Sequence, residues 1–363
     1  MSGYTIDALL KKAKELGASD LHLIVGEVPS FRIDGKIIKS KLEKVTQEDM
    51  MKAIDVMAPV SMRDKIFKSF DSDFPYEIEN VSRFRVNLAM SFGYHSMTIR
   101  LVPYEIPSFE HLKLPKNIEK FSELENGIVL VTGVAGSGKS TTIASILNHI
   151  NNTAKKHIVT VEDPIEYVYK SNKSIFTQRQ IGIDTASFID GLKYALRQDP
   201  DVILIGEIRD METVQSALHA AETGHLVFAT LHTFNAIQTI NRVLSFFPPA
   251  ERETVRHQFA EVFRGSVSQK LLPYANGKGR IPAVELLYST PTIKDFILKD
   301  ELEEIYKLVK QGSYNDMITF NTCLYELYKR GYITKEVALE STDNPNELMH
   351  YMRGVYTGSE GTY

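Results

Sequence analysis

The sequence predicts an α/β protein, with a smaller α+β module in front of it and helices behind. Two observations predict the α/β part. Short apolar runs at 128–132, 158–161, 202–205 and 226–231 alternate with amphipathic helical stretches, which implies a mainly parallel sheet covered by helices. A glycine-rich turn also stands between the first run and the helix after it. The third observation is length. At 363 residues the chain exceeds what one core holds, since single cores rarely grow beyond about 250–300 residues.

Each element follows in order. Ile6, Leu9, Leu10, Ala13 and Leu16 recur at helical spacing, with Gly17 as the stop. Residues 21–25 read as a strand, and 31–33 with 36–38 as a hairpin turning at Asp34-Gly35. Thr46 and Ser61 are candidate N-caps, each with an aspartate three residues on, Asp49 and Asp64. Residues 83–91 and 95–102 read as paired strands around Phe92-Gly93-Tyr94. These make an N-terminal α+β domain over 1–102. Pro103, Pro107 and Pro115 lie among charged residues, and proline fixes φ and removes a backbone donor, so 103–126 is expected to be an interdomain linker. The α/β domain covers 127–290. From 291 to 363 the pattern is helical, with Ile293, Phe296 and Ile297, then Leu302, Ile305, Tyr306 and Val309, then Phe320, Cys323, Leu324, Leu327 and Tyr328 at helical spacing. The last residues, 357–363, read as frayed.

Composition excludes several classes. A net charge of −4 gives no global support for a nucleic-acid binder. The single cysteine, Cys323, cannot form an intrachain disulfide or a four-cysteine zinc site. No apolar run reaches the 18 or so residues of a transmembrane helix, and no basic stretch leads into an apolar signal core. The expectation is a cytoplasmic protein that meets a membrane only through partners.

Residues 133–140, Gly-Val-Ala-Gly-Ser-Gly-Lys-Ser, match the Walker A phosphate-binding pattern in full, between a strand and a helix. The loop Gly133, Val134, Ala135, Gly136, Ser137, Gly138, Lys139, Ser140 and Thr141 is therefore the candidate nucleotide site. Glycines let the backbone turn its N–H groups inward, and the helix N-terminus adds partial positive charge. Lys139 is expected to reach the β- and γ-phosphates of ATP, and the Ser140 hydroxyl to ligate Mg²⁺. Hydrolysis further needs an acid to orient water. The strand 202–205 runs into Gly206-Glu207, the place of a Walker B element with glycine where the metal-holding aspartate usually stands. Glu207 is the candidate catalytic acid at a strand's carboxyl end, against the alternative of a surface glutamate opening a loop. Glu162, Asp163 and Glu166 follow another strand and suit a Mg²⁺ and water network, or simply a solvated acidic loop. His232 follows the strand 226–231 and could bond the γ-phosphate, or be structural.

Four boxes in this order, GVAGSGKSTT, VTVEDPIEYV, LRQDPDVILIGEIRD and ETGHLVFATLHT, resemble those of the secretion ATPase family, the hexameric motors of type II secretion and type IV pili. ASDLHL at 18–23 and RFRVN at 83–87 extend the resemblance into the first domain. The resemblance implies a RecA-like ATPase domain behind a PAS-like N-terminal domain, and ATP hydrolysis coupled to domain rotation about 103–126. It implies a homo-hexamer, an inner-membrane pilus platform protein as partner and a related accessory motor as a further one, at the inner face of the cytoplasmic membrane. Glu162, Glu166, Glu207 and His232 fall in its catalytic boxes. Arginines of the family's N-terminal domain approach the bound ATP, and Arg83, Arg85 and Arg100 are the matching positions. On the residues alone, two arginines on one face of a strand are usually a solvated face, and Arg209 and Arg242 are weaker candidates, as readily structural ion pairs. The short N-terminal domain, TIRLVP at 98–103 and the missing CxxC insert point to the pilus retraction branch. Its C-terminal helix reads close to AIRNLIRE; here 292–299 reads TIKDFILK, which keeps the apolar spacing and loses the arginine. An accessory retraction motor and an extension or type II secretion motor are the alternatives.

Overall fold

A computed structural model of the chain describes residues 5–33, 35–66, 69–79, 81–102, 105–310 and 316–354. They fall into two compact units, 1–105 with 166–168, and 106–165 with 169–363.

In the first unit, α1 (Ile6–Glu15) buries Ile6, Leu9, Leu10 and Ala13, and the Thr5 hydroxyl caps it by accepting from Ala8 N. A six-stranded antiparallel sheet follows the order β3-β2-β1-β6-β5-β4. Its strands are β1 (Asp20–Ile24), β2 (Ser30–Ile33), β3 (Lys36–Lys39), β4 (Asp71–Ile78), β5 (Ser82–Ser91) and β6 (Tyr94–Val102). Phe92 and Gly93 both have positive φ, 51° and 81°, the two-residue turn that suits the right-handed twist of a hairpin. Helix α2 (Gln47–Met57) starts at a full capping box between Thr46 and Asp49. The second expected helix is reduced to a 3₁₀ turn (Val60–Met62) and the four-residue α3 (Arg63–Ile66); the capping side chains expected there, Ser61 and Asp64, lie outside the description, as do Asp34 of the first hairpin turn and residues 357–363. Strand β4 had no counterpart in the sequence pattern. Leu10, Leu21, Ile54, Phe84, Val86 and Ile99 form the centre of this core.

The second unit begins earlier than its first apolar strand. Residues 106–126, expected as linker, carry α4 (Phe109–Leu112) and a 3₁₀ helix (Lys116–Ser122). Phe109, Leu114, Ile118 and Phe121 are buried. Phe121 stacks on Tyr288 with ring centres 4.7 Å apart, Tyr288 donates its hydroxyl to Asn117 O at 2.6 Å, and Ser145 Oγ donates to Pro107 O at 2.7 Å. The prolines do break the stretch into short pieces, but isolated aromatic anchors pin those pieces to the second core.

The sheet of this unit has seven strands in the order β13-β12-β7-β11-β10-β8-β9. They are β7 (Gly127–Thr132), β8 (His157–Glu162), β9 (Ile175–Gln180), β10 (Val202–Ile205), β11 (Leu226–Leu231), β12 (Phe263–Pro273) and β13 (Arg280–Tyr288). All pairings are parallel except β12–β13. The crossovers use α5 (Lys139–Thr153), α6 (Phe188–Ala195), α7 (Met211–Glu222), α8 (Ala236–Ser245) and α9 (Arg252–Val262). Strands β7, β10 and β11 are buried along their whole length, as expected for strands covered on both faces. The C-terminal helices α10 (Pro291–Lys299), α11 (Leu302–Lys310), α12 (Phe320–Lys329), α13 (Lys335–Ser341) and α14 (Pro345–Met352) belong to the same compact unit. Cys323 on α12 is fully buried and accepts from Val284 N at 3.2 Å. Ile293 and Ile297 of α10 pack into the main core.

Candidate nucleotide and hydrolysis site

Parallel register decides the geometry. Leu231 pairs with Thr132, Ile205 with Ala229, and Ile205 with Val161. The carboxyl ends of β7, β11, β10 and β8 therefore stand side by side, about 4.8 Å apart. In that order they deliver the phosphate loop, His232, Glu207 and Glu162.

The loop is shaped for close backbone approach. Gly133, Gly136 and Gly138 have φ of 145°, 76° and 91°, where side chains are strained. A Cβ on Gly133 would overlap the Gln269 carbonyl and the Ser137 hydroxyl, and one on Gly138 would lie 2.7 Å from Gln269 Nε2. Val134, Ala135 and Gly136 form the exposed rim, while Ser137 is buried with no partner for its hydroxyl among the described residues. Lys139 is buried and folds over the loop, donating to Gly133 O at 2.8 Å and Val134 O at 3.0 Å. Ser140 and Thr141 are half-buried in the first turn of α5. Thr142 donates to Gln269 Oε1 at 2.7 Å, tying α5 to β12. A glycine cradle, an orphan hydroxyl, an ammonium and a helix N-terminus fit an oligophosphate with its divalent cation.

Glu207 is held on both oxygens. Oε2 accepts from Arg209 Nε at 2.8 Å and lies 2.7 Å from Nη2, a two-pronged pairing. Oε1 lies 3.0 Å from His232 Nε2. Burial pushes the Glu207 carboxyl up, but Arg209 and His232 together bring it below its ordinary value. Hydrogen bonding to Glu207 in turn raises Arg209, whose Nη1 also lies 3.8 Å from Asp163. Gly206 is explained by packing. A Cβ there would lie 3.1 Å from Glu162 Cα and 3.2 Å from Val161 O, so the backbone of β8 would have to give by a few tenths of an ångström to admit a side chain in front of Glu207.

The three carboxylates after β8 do not act as one cluster. Glu162 is buried at the strand end and accepts from Thr160 Oγ1 at 2.7 Å. Asp163 is exposed and faces Arg209, and Glu166 is exposed beyond the strand and groups with the first unit. Among the described residues, no three His, Cys, Asp or Glu side chains are grouped so as to hold a metal ion.

In the first unit, Arg83, Arg85 and Asn87 alternate with buried Phe84, Val86 and Leu88 on β5. Arg85 and Arg100 are direct cross-strand neighbours. Like charges so placed repel, and each has a carboxylate close by. Arg85 Nε is 3.5 Å from Asp73, and Arg100 Nε is 2.9 Å from the buried Asp20, which also meets Arg32 at 3.7 Å. Arg83 has no side-chain partner among the described residues. Arg242 stacks on Phe246 at 4.3 Å.

Sequence reasoning found no residues for a nucleobase. Beside α5 lies a cleft of about 460 Å³ whose lining includes His111, Leu112, Thr141, Tyr274, Arg280 and Pro282. Lys113 sits over the rings of Tyr274 and Tyr332, at 5.1 and 4.1 Å from their centres, which fixes Tyr274 at the cleft wall.

Residues 3–322 match the family described as type II/IV secretion system protein. The chain is similar to the type IV pilus retraction ATPase PilT of Pseudomonas aeruginosa, with 40% identity over 94% of this chain and 99% of the relative. It is 36% identical to the type IV pilus ATPase PilU of the same organism, over 94% of this chain and 90% of the relative. A crystal structure of the pilus retraction motor PilT with bound ADP superposes with a TM-score of 0.89 at 45% identity, covering 96% of this chain and 99% of that one.

Proposed function

This chain belongs to the type II/IV secretion system protein family, and on that premise we propose that it is a Mg²⁺-dependent ATPase that drives type IV pilus retraction, and so twitching motility, as a ring of six copies. The observation that carries the chemistry is the row of β7, β11, β10 and β8 ends. It sets the phosphate loop beside His232 and the ionised Glu207. The similarity to a retraction ATPase over nearly the full length of both chains carries the direction of force.

In this reading Lys139 exchanges its two loop carbonyls for the β- and γ-phosphates. Ser140 holds Mg²⁺, which when bound neutralises charge on the phosphates; magnesium commonly relies on substrate phosphates and few protein ligands. Glu207 orients the attacking water, His232 contacts the γ-phosphate, and Glu162 and Glu166 shape the water network around it. The base lies in the cleft between Tyr274 and α5. Arg83, Arg85 and Arg100 serve ATP on a neighbouring copy, where a guanidinium can be worth ~10³–10⁵ in rate. Hydrolysis is coupled to domain rotation, and the ring acts on a platform protein at the inner face of the cytoplasmic membrane. Among the described residues no helix is long and apolar enough to cross a membrane, so membrane contact in this reading comes through that partner.

Glu207→Gln removes the base and keeps the shape. It is expected to bind ATP normally and to lose at least about 10²-fold in turnover; wild-type turnover would sink the assignment. Deletion of the gene is expected to leave excess pili that do not retract, whereas loss of pili would mean an extension motor. The likeness to PilU favours an accessory retraction motor as the second reading; it predicts that retraction in the deletion strain is weakened rather than lost.

A further inference from the structure

The buried side of α8 carries polar groups that the hydrolysis site does not use. Thr233 directly follows His232, and its hydroxyl lies 2.7 Å from that of Thr239, one turn into α8. Thr239 Oγ1 is also 2.7 Å from Asn235 O and 3.4 Å from Thr132 Oγ1. Thr132 is the last residue of β7, immediately before the phosphate loop, and donates to Ser268 Oγ on β12 at 3.0 Å. All four hydroxyl residues are buried. Thr239 has one proton, directed at Asn235 O, the nearer of its two acceptors, so Thr233 is the donor in the 2.7 Å pair and Thr239 meets Thr132 only in hydroxyl contact. From the other side, Glu285 of β13 accepts from Ala236 N at 2.7 Å and fixes the start of the same helix.

Hydroxyls inside an aliphatic core lower stability unless they are paired. Valine has nearly the same shape, so packing alone does not call for threonine at 132, 233 and 239. What the hydroxyls add is a directional bond from Thr233, which adjoins the residue that touches Glu207, to Thr239, whose oxygen touches the residue on which the phosphate loop begins.

We propose that Thr239 is a positioning residue for hydrolysis, holding His232 in register with the phosphate loop through the chain of contacts in which Thr233 donates to Thr239 and Thr239 packs on Thr132. This rests on the reading of His232 as a γ-phosphate contact. Thr239 touches neither nucleotide nor water; it sets where the His232 imidazole sits relative to the loop. A displacement of about 1 Å in such a group costs up to about 10²-fold in rate.

The test measures ATP turnover and melting temperature of the full chain for Thr239→Val, Thr239→Ser, His232→Ala and the Thr239→Val/His232→Ala double variant. Thr239→Val is expected to lower kcat about tenfold with KM for ATP within about twofold. Thr239→Ser, which keeps the hydroxyl, restores kcat to within about twofold. In the His232→Ala background Thr239→Val adds no further loss, because the two act through one group. Should Thr239→Val fail to fold, Thr233→Val breaks the same chain and is expected to show the same pattern. Wild-type kcat in both valine variants, equal losses in the valine and serine variants, or multiplying losses with His232→Ala each overturn the proposal. Reduced His232→Ala turnover with unaffected valine variants removes this inference alone. Wild-type turnover in His232→Ala removes the reading of His232, and this inference with it.

Discussion

At the scale of single residues, the site turns on how Glu207 is kept ionised. Its half-buried position raises the carboxyl, and a neutral acid cannot accept a proton from water. The Arg209 pairing, helped by His232, reverses that and holds the group below its ordinary value. Arg209, a weaker phosphate candidate from the sequence, is seated on Glu207 by the structure. Its removal has a defined sign. Arg209→Ala lets the Glu207 carboxyl rise, so at a given acidic pH less of it is ionised. The acid limb of the kcat/KM profile is expected to move to higher pH, with activity lost first on the acid side. An acid limb that stays in place would mean that Arg209 does not control the base. Arg83 and Arg100 also separate here. Arg100 supports a buried carboxylate, and Arg83 has no side-chain partner among the described residues, so Arg83→Ala tests function with the smaller disturbance of the fold.

At the scale of elements, the joint between β13 and α8 stores a protonation equilibrium. Glu285 is buried, and burial pushes its carboxyl up to about 7 in spite of the Ala236 and Phe320 backbone donors and of Lys270, with Asp343 adding to the rise. In the unfolded chain the same group titrates near 4.5. Between those values the folded protein holds a proton that the unfolded chain has released, so stability falls as pH rises through this window. Glu285→Gln lacks that titration. Relative to wild type it should gain stability from pH 5 to pH 8, by on the order of 3 kcal/mol for a shift from 4.5 to about 7. Melting curves that stay parallel across that range would show that Glu285 does not hold a proton near neutrality. The elements also differ in how far sequence could read them. Strands β7, β8, β10 and β11 were legible because both faces are covered and the apolar run is continuous. Strand β12 was hidden because Ser266, Ser268 and Gln269 interrupt it; all three are buried, and Ser268 and Gln269 brace the phosphate loop and its helix. Residues 106–126 show no periodicity in the sequence because single anchors such as Phe109 and Phe121 hold them to the second core. The cleft residues 111, 141, 274 and 280 meet only in space, so no local pattern could collect them.

At the scale of the whole molecule, the decisive question is whether one subunit completes another's catalytic site. The phosphate loop and Glu207 lie in the second unit, and Arg83 lies on β5 of the first. If Arg83 serves ATP on a neighbouring copy, a ring built only of Arg83→Ala subunits lacks the arginine at every site, and a ring built only of Glu207→Gln subunits lacks the base at every site. Mixing the two restores some sites. Where an Arg83→Ala subunit supplies the base and a Glu207→Gln neighbour supplies the arginine, both parts meet. The mixed rings are expected to hydrolyse ATP faster than either parent, with a maximum near equal proportions. If Arg83 acts within its own subunit, no mixed ring contains a complete site, and the rate follows the weighted average of the parents. Subunit exchange is checked in a second mixture of the same two variants, one labelled with a donor dye and the other with an acceptor, where energy transfer within rings must appear. An average-only result in the first mixture, with exchange shown in the second, places the arginine in cis and removes the need for a neighbour in the chemistry.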